Sequence, residues 1–314
     1  MAETGTDINK AIALLTAGDL VAIPTETVYG LAGNALHLPG VTKIFEVKGR
    51  PQFDPLIVHV PDFNAVELYA HRIPWQAKLL ASHFWPGPLT LLLPKNTIIP
   101  DLVTAGLDTV GIRCPDHPLT HRLLMSVPFP LAAPSANPFG YVSPTRPEHV
   151  EEQLGNKIQY ILDGGPCKVG VESTIIGLEN DVPVIYRLGG IAQEQVESII
   201  GKTIVRTHSS SNPKSPGQLE SHYAPRKKVI LGNLKELLLV HASQVTGVLS
   251  FQQDFHSPFQ FILSRSGQLD EAAQNLFSAL RYLDKLPIDT ILAETVPDVG
   301  LGKAINDRLR RAAG

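Results

Sequence analysis

Residues 48–60 read KGRPQFDPLIVHV, and residues 24–31 read PTETVYGL. A segment with a helical pattern separates the two stretches. Lys48 and Arg50 stand on either side of a glycine, and His59 lies within an apolar strand pattern. Two cations beside a glycine can meet phosphate oxygens with little steric obstruction, and the arginine fork can hold two oxygens together. The same residues would also suit a solvated turn that complements a helix dipole. The segment thus predicts either a phosphate pocket or an ordinary helix end.

The pattern around this segment is that of a mixed α/β domain. The sequence predicts a helix over residues 7–17 with Asp7 as its cap, a strand at LVAIP and a second helix at VTKIFEVKG. The apolar run PLIVHV predicts a strand that is buried on both faces. Further strands are predicted at LTLLLP, TVGIRC, PLAAPS, QYILDGG, STIIGL and VPVIYRL, and helices near residues 75–84, 118–126, 147–154 and 192–200. The elements do not alternate strictly, which favours an open mixed sheet over a barrel.

The composition changes in residues 207–227, which are rich in Ser and Pro. A flexible spacer does not need the bulky His222 and Tyr223 found there. Beyond this segment, strands and helices predict a small Rossmann-like unit, which has no GxGxxG and is assigned no dinucleotide site. We therefore predict a first domain over residues 1–206, a linker over 207–227 and a second domain over 228–314.

Bulk properties of the 314 residues limit the classes of function. A net charge of −3 argues against a chain that coats nucleic acid, so any RNA contact is expected to be weak or transient. The polar N-terminus does not resemble a secretory signal, and no apolar run approaches the ~18 residues of a membrane span. The two cysteines are far apart and predict reduced thiols. We expect a cytoplasmic protein.

One cluster has metal-like spacing, namely Cys114, His117 and His121. A helix start explains these residues better, with Asp116 as its cap and Pro118 in its first turn. A fourth metal ligand has no obvious source nearby. We therefore assign no metal site here.

Six motifs, in this order, resemble the YrdC-like domain of the threonylcarbamoyl-AMP synthases: PTETVYGLAGNA, KGRPQFDPLIVH, FWPGPLTLLLP, TVGIRCPDHP, APSANPFG and VESTIIGL. The resemblance continues through SPGQLESHYAP to GLGKAINDRLRRAA, which is similar to the longer, two-domain members, and covers residues 18–314. It implies a YrdC-like open, mixed and twisted sheet with helices, followed by the linker and the small Rossmann-like domain.

The resemblance also implies a reaction. A nucleotidyltransferase of this family joins L-threonine, bicarbonate or CO2, and ATP into threonylcarbamoyl-AMP and pyrophosphate, with Mg²⁺ accompanying ATP. The product supplies a downstream transferase complex that modifies the tRNA adenosine beside the anticodon. The threonine amine captures CO2, and the carbamate carboxylate attacks the α-phosphate. Catalysis can then depend on positioning and charge neutralisation, without a Ser/His/Asp arrangement.

Matched motif by motif, the resemblance assigns two sets of residues. Lys48 and Arg50 correspond to the catalytic cations over the phosphates, and neither is expected in a packed core. The nucleotide set is Lys48, Arg50, Asp54, Thr109, Ser135, Asn137, Ser143, Arg187 and Tyr223. The threonine set is Thr27, His59, Arg113 and Ser173.

Several of these residues have a second interpretation. Arg113 ends an apolar strand pattern and needs an acid partner, which is either the threonine carboxylate or a protein carboxylate. His59 could be a satisfied core histidine, and Asn137, which precedes Pro138, also suits a turn. Asp54 stands where many members have Asn, and a carboxylate would repel a triphosphate unless a cation intervenes. Thr109 and Ser143 would also suit the ends of strands and turns, and Arg187 could be a surface cation.

Residues 215–225 are expected to fold over the nucleotide with Tyr223 against the phosphates, and Gly217 permits the bend.

An alternative to the synthase is a non-catalytic RNA-binding module, which would have no need for Arg113 and His59 in buried strands. A second alternative is carbamoyl transfer through carbamoyl adenylate, but proteins of that kind are much larger.

Overall fold

The structure, a computed structural model, describes residues 1–208, 213–218 and 223–314. The strands of the first sheet are β1 (Glu3–Gly5), β2 (Val21–Ile23), β3 (Gly30–Asn34), β4 (Ile57–His59), β5 (Leu89–Pro94), β6 (Thr109–Arg113), β7 (Leu131–Ala132), β8 (Tyr160–Leu162), β9 (Thr174–Glu179), β10 (Val182–Arg187) and β11 (Ile204–Val205). The helices beside it are α1 (Ile8–Thr16), α2 (Leu38–Lys48), α3 (Val66–Tyr69), α4 (Trp75–Phe84), α5 (Asp101–Thr104), α6 (Pro118–Ser126), α7 (Pro147–Leu154) and α8 (Gln193–Ile200).

The second sheet contains β12 (Lys228–Leu231), β13 (Thr246–Ser250), β14 (Gln260–Ile262) and β15 (Thr290–Ala293), with helices α9 (Leu234–Val240), α10 (Leu269–Lys285) and α11 (Gly302–Ala313). Its strand order is β12-β15-β13-β14, and every pairing is parallel. This small parallel α/β unit agrees with the Rossmann-like prediction. None of the helices in the described residues is long and apolar enough to cross a membrane.

The first sheet is mixed, and its register positions the candidate site. Its strand order is β1-β8-β2-β3-β7-β4-β6-β5-β9-β10-β11. β4 and β6 are parallel neighbours with His59 opposite Arg113, while β5 runs antiparallel to β6 with Thr90 opposite Arg113. These pairings bring three polar side chains to one end of the central strands. The predicted open mixed sheet is confirmed.

Helix starts show where local sequence signals succeed and fail. Asp7 caps α1 as predicted, because its carboxylate accepts hydrogen bonds from the Asn9 and Lys10 amides. The predicted cap of α6 is wrong: His117 holds the cap position, with Pro118 in the first turn. The Asp116 amide instead donates to the Glu26 carboxylate, 3.0 Å away.

The two domains share a hydrophobic core. Val28, Val142 and Val171 of the first domain pack in one cluster with Phe277 of α10 and Ile305 of α11, and all five are nearly or fully buried. Burying one such side chain contributes about 1.5 to 3 kcal/mol, so this contact holds the second domain firmly. Tyr223, at the end of the linker, belongs to the same cluster.

Candidate functional site

A small, partly enclosed cavity lies at the end of β4 and β6, beside Pro216 and Gly217 of the linker. Its volume is about 40 Å³, which leaves room for only a few water molecules. The lining residues are Val28, Arg50, Ile57, His59, Arg113, Ala133, Pro134, Ser135, Glu172, Arg187, Pro216, Gly217 and Tyr223. The cavity is therefore surrounded by three arginines, the neutral ring of Tyr223 and the backbone of the linker.

Lys48 ends α2 and is buried directly beside this cavity. Gly49 takes a left-handed conformation (φ 61°) that turns the chain after the helix. The Lys48 ammonium is 3% exposed and donates hydrogen bonds to the backbone carbonyls of Ser135, at 2.6 Å, and Asn137. Burial, together with Arg50, holds the pKa of Lys48 well below its usual range. The expectation that this cation lies outside a packed core is wrong.

Arg50 is buried as well, so the same expectation is wrong for the second cation. Its Nε donates to the Asp54 carbonyl at 3.1 Å, and Nη2 donates to the Pro55 carbonyl at 2.7 Å. The Asp54 carboxylate forms an ion pair with Nη2 at 3.0 Å. Burial raises the pKa of Asp54, and Arg50 opposes that rise. Asp54 thus braces a cavity cation, and its predicted nucleotide contact stays a prediction.

Arg113 reaches the cavity from the end of β6. Its Nη2 donates to Glu26 at 2.6 Å and to the Thr27 hydroxyl at 2.8 Å, and both partners are buried. Within the described part of the chain, the buried Nε has no hydrogen-bond partner. A protein carboxylate therefore holds one edge of the guanidinium and leaves another donor for a ligand. Sequence reasoning did not single out Glu26, although it is the acid within PTETVYGL.

His59 faces the same cavity from β4. It is 2% exposed, and its Nδ1 has no hydrogen-bond partner among the described residues. Burial, with the charge of Arg113 nearby, lowers the pKa of His59 to about 3. The imidazole is therefore neutral near pH 7 and keeps a polar atom for a ligand, unlike a satisfied core histidine.

The depressed histidines predict acid sensitivity of folding. Burial also lowers the pKa of His149 to about 3, with Arg281 as the next cause. An unfolded histidine binds protons below about pH 6.5, so between about pH 6.5 and about 3 the unfolded state binds more protons, and stability falls as pH falls. Each residue should contribute about 1.4 kcal/mol per pH unit within this window. Urea unfolding measured across this pH window should show that the free energy of unfolding of His149→Asn depends less steeply on pH than that of the parent protein. An unchanged slope would contradict this account.

Ser173 connects the threonine set to the nucleotide set. Its hydroxyl lies 2.7 Å from the Thr90 hydroxyl and accepts from Arg187 Nη2 at 2.9 Å. Arg187 Nε also donates to the Ser173 carbonyl at 2.9 Å. Arg187 is 6% exposed, so it is a buried cavity cation and the surface alternative is wrong.

Glu172 and Arg308 join the cavity to the C-terminal helix, and sequence reasoning missed both. The Glu172 carboxylate accepts from the Ser143 hydroxyl at 2.6 Å and from Arg308 Nε at 2.9 Å. The Arg308 guanidinium also lies 4.8 Å from the ring centre of Tyr223. That ring stacks on Phe277 at 5.7 Å. The second domain therefore fixes two of the cavity walls.

The described linker segment, residues 213–218, lies against the cavity. Ser215, Gly217 and Gln218 are buried, and Pro216 and Gly217 line the cavity. The Gln218 side chain accepts from the backbone amides of Lys214 and Ser215, which closes a compact loop. His222, the other bulky group that the sequence singled out, lies outside the described residues.

Gly217 is expected to be necessary for this closed loop. Its φ is 84°, and a Cβ there would lie 2.6 Å from the Tyr223 hydroxyl. Gly217→Ala should displace the loop and lower kcat by roughly tenfold or more, since the left-handed strain alone costs about 1 to 2 kcal/mol. Gly106→Ala is the control, because its φ of 78° is similar and nothing lies within 4 Å of the new Cβ. Equal activity of the two variants would contradict a role of the loop.

The structure brings nearly all the predicted residues together. Six of them line the cavity, namely Arg50, His59, Arg113, Ser135, Arg187 and Tyr223. Six more form a hydrogen bond or an ion pair with a lining residue or its backbone, namely Lys48, Asp54, Thr27, Ser173, Ser143 and Asn137. The Asn137 amide group donates to the carbonyls of Pro138 and Tyr141, as the turn interpretation expects. Thr109 lies apart, in a neighbouring slot below Lys214.

The cysteine and histidine cluster does not converge. Cys114 and His121 face a separate cleft, whereas the His117 ring approaches the Gly164 carbonyl. No group of three His, Cys, Asp or Glu side chains within residues 1–208, 213–218 and 223–314 is placed to hold a metal ion.

Comparison with known proteins agrees with this geometry. The Sua5/YciO/YrdC family model, described as "Telomere recombination", matches residues 13–189, and the model of the threonylcarbamoyl-AMP synthase C-terminal domain matches residues 191–314. Threonylcarbamoyl-AMP synthases of Pyrococcus abyssi and Bacillus subtilis are 42% and 43% identical over 98% of this chain, covering 94% and 93% of those proteins. The crystal structure of P. abyssi Sua5 complexed with L-threonine superposes with a TM-score of 0.93 at 41% identity, covering 100% of this chain and 98% of the other. The chain therefore belongs to the threonylcarbamoyl-AMP synthase family.

Proposed function

We propose that this protein is a nucleotidyltransferase that forms threonylcarbamoyl-AMP and pyrophosphate from L-threonine, bicarbonate or CO2, and ATP. The observation that carries the proposal is the arrangement of Arg113. Its guanidinium is held on one side by Glu26 and Thr27, and its buried Nε, beside a neutral His59, has no hydrogen-bond partner among the described residues. An RNA-binding module would not need such a buried carboxylate clamp.

The clamp suits a small amino acid. A threonine carboxylate can accept from the free donor of Arg113, and burial strengthens such a charge-assisted bond. The neutral His59 offers a polar ring atom without adding positive charge that would repel the substrate amine. Because L-threonine is bound in the crystal structure of the P. abyssi relative, threonine is the amino acid that we propose.

The remaining cations suit the phosphates. Arg50 and Arg187 line the cavity with Arg113, and Lys48 lies directly behind Ser135. In the proposed step the carbamate oxygen bonds to the α-phosphorus as the bond to the bridging oxygen breaks, so pyrophosphate leaves with the bonding electrons. Fixed cations stabilise the charge that this leaving group gains.

Mg²⁺ is proposed to arrive with ATP. Glu172 already binds Ser143 and Arg308, and Asp54 forms an ion pair with Arg50, although neither buried Asp54 oxygen accepts a hydrogen bond from the described residues. These residues fit a Mg²⁺ ion that is held largely by phosphate and water. When bound, the ion would supply further neutralisation of phosphate charge.

Substrate entry requires the linker to move. A cavity of about 40 Å³ cannot hold ATP, and Pro216, Gly217 and Tyr223 form part of its wall. We propose that the loop lifts to admit the nucleotide and then closes, with Tyr223 facing the phosphates. Closure would exclude water from a product that is a hydrolysable mixed anhydride.

The product implies a recipient. A mixed anhydride is an activated acyl donor, and we propose that a downstream transferase complex uses it to modify the tRNA adenosine beside the anticodon. With a net charge of −3, direct contact with tRNA is expected to be weak or transient. Since ATP and tRNA are cytoplasmic, we propose that the reaction occurs in the cytoplasm.

Pyrophosphate release tests the proposal. Release from ATP should depend on both L-threonine and bicarbonate, because the attacking carboxylate exists only after the two combine. Serine, valine and no amino acid should give much lower rates under the same conditions. Equal release without any amino acid would refute the synthase assignment.

A further inference from the structure

A second cleft, of about 370 Å³, lies outside the catalytic cavity. It is formed by the turn after β4, by α4 and by the start of α6. Arg113 lines the catalytic cavity and the next residue, Cys114, lines this cleft, because successive side chains of an extended segment point to opposite faces. The two spaces are therefore separated by one stretch of backbone.

The walls of the cleft are largely apolar. The rings of Phe63 and Trp85 lie 6.1 Å apart at 51°, and Ala81 and Cys114 form the adjoining surface. The Cys114 thiol donates to the Pro61 carbonyl at 3.1 Å. Burial raises the pKa of this thiol to about 12, so it acts as an apolar wall and not as a nucleophile.

Two opposite charges stand at the edge of these walls. Lys78 is exposed on α4, and Asp62 lies half-buried on the facing turn. One Asp62 oxygen accepts from the Ala65 amide at 3.0 Å, which leaves its other oxygen available. Neither residue takes part in an ion pair among the described residues. A polyphosphate would be repelled by the Asp62 carboxylate, and a hydrocarbon would gain nothing from either charge, whereas a zwitterion can pair with both.

We propose that this cleft binds a free α-amino acid with a large apolar side chain. The side chain packs against the wall formed by the Phe63 and Trp85 rings, the carboxylate faces Lys78 and the ammonium faces Asp62. The volume is at the lower end of the range for small-molecule sites, which suits a ligand of this size. The short polar side chain of threonine would leave the aromatic walls uncovered, so this site differs in specificity from the catalytic one.

Calorimetric titration of the full-length protein with L-phenylalanine tests the proposal, with L-threonine present to saturate the catalytic site. The expected Kd is on the order of 1 mM. N-acetyl-L-phenylalanine lacks the ammonium charge and phenethylamine lacks the carboxylate, so each should bind about fivefold more weakly. Equal affinity for either analogue would refute recognition of a zwitterion.

Variants locate the binding. Lys78→Met keeps the stem and removes the charge, and Asp62→Asn keeps an acceptor for the Ala65 amide. Each should weaken L-phenylalanine about fivefold, while Lys202→Met, an exposed cation outside the cleft, should have no effect. No binding of L-phenylalanine, or binding that both cleft variants leave unchanged, would refute the proposal.

Discussion

Arg113→Lys is expected to lower kcat/KM for L-threonine by roughly a hundredfold, which corresponds to about 3 kcal/mol. Lysine keeps the charge near Glu26 but loses the planar fork, so it cannot hold Glu26 and Thr27 with one edge and a ligand carboxylate with another. The loss should appear mainly in the KM for threonine, with the KM for ATP little changed. Steady-state pyrophosphate release with each substrate varied separately measures both parameters.

Arg187→Lys is the matched control for this experiment. Arg187 is buried in the same cavity and also lies on a strand end, but we place it at the phosphates. Its replacement should raise the KM for ATP more than the KM for threonine. If Arg113→Lys instead affects ATP alone, the threonine clamp is wrongly assigned.

Lys48→Met should reduce both catalysis and stability. Removing a fixed cation from the phosphate site is expected to cost about 2 to 4 kcal/mol of transition-state stabilisation. The carbonyls of Ser135 and Asn137 also lose their donor, so the free energy of unfolding should fall by about 1 to 3 kcal/mol. Single-turnover rates and urea unfolding measure the two effects separately.

Lys43→Met provides the comparison on the same helix. Lys43 is 46% exposed in its side chain and pairs with Asp19 at the surface. An exposed pair of this kind contributes at most about 1 kcal/mol, and Lys43 does not line the cavity. Full activity of Lys48→Met would show that the phosphate assignment is wrong.

Local patterns were sufficient to predict the long elements. The helices at 75–84, 118–126 and 147–154 occur at those residues, because each has an apolar face and a proline at or before its first turn. β3 was missed because GLAGN lacks the β-branched and aromatic residues of a typical strand. Its glycines instead allow close packing, since a Cβ on Gly33 would meet Leu20 at 2.9 Å.

The site could be predicted only as far as family motifs extended. The burial of Lys48 depends on carbonyls that lie 87 and 89 residues away, and no local pattern encodes such a contact. Glu26 and Arg308 were missed for the same reason. Glu26 pairs with Arg113 and Arg308 pairs with Glu172, and each partner is distant in the sequence. Pairing across the chain becomes visible only after the fold brings the segments together.

The ion pair between Glu172 and Arg308 makes the two domains dependent on each other during sequence change. A buried carboxylate that loses its guanidinium is strongly unfavourable, whereas replacing both members by apolar residues can be neutral. Substitutions at these two positions should therefore be accepted in descendants as pairs and rejected singly. Exchange of a whole C-terminal domain between relatives would succeed only where the incoming helix supplies the matching cation. In this two-domain chain, positions 172 and 308 are thus expected to change together.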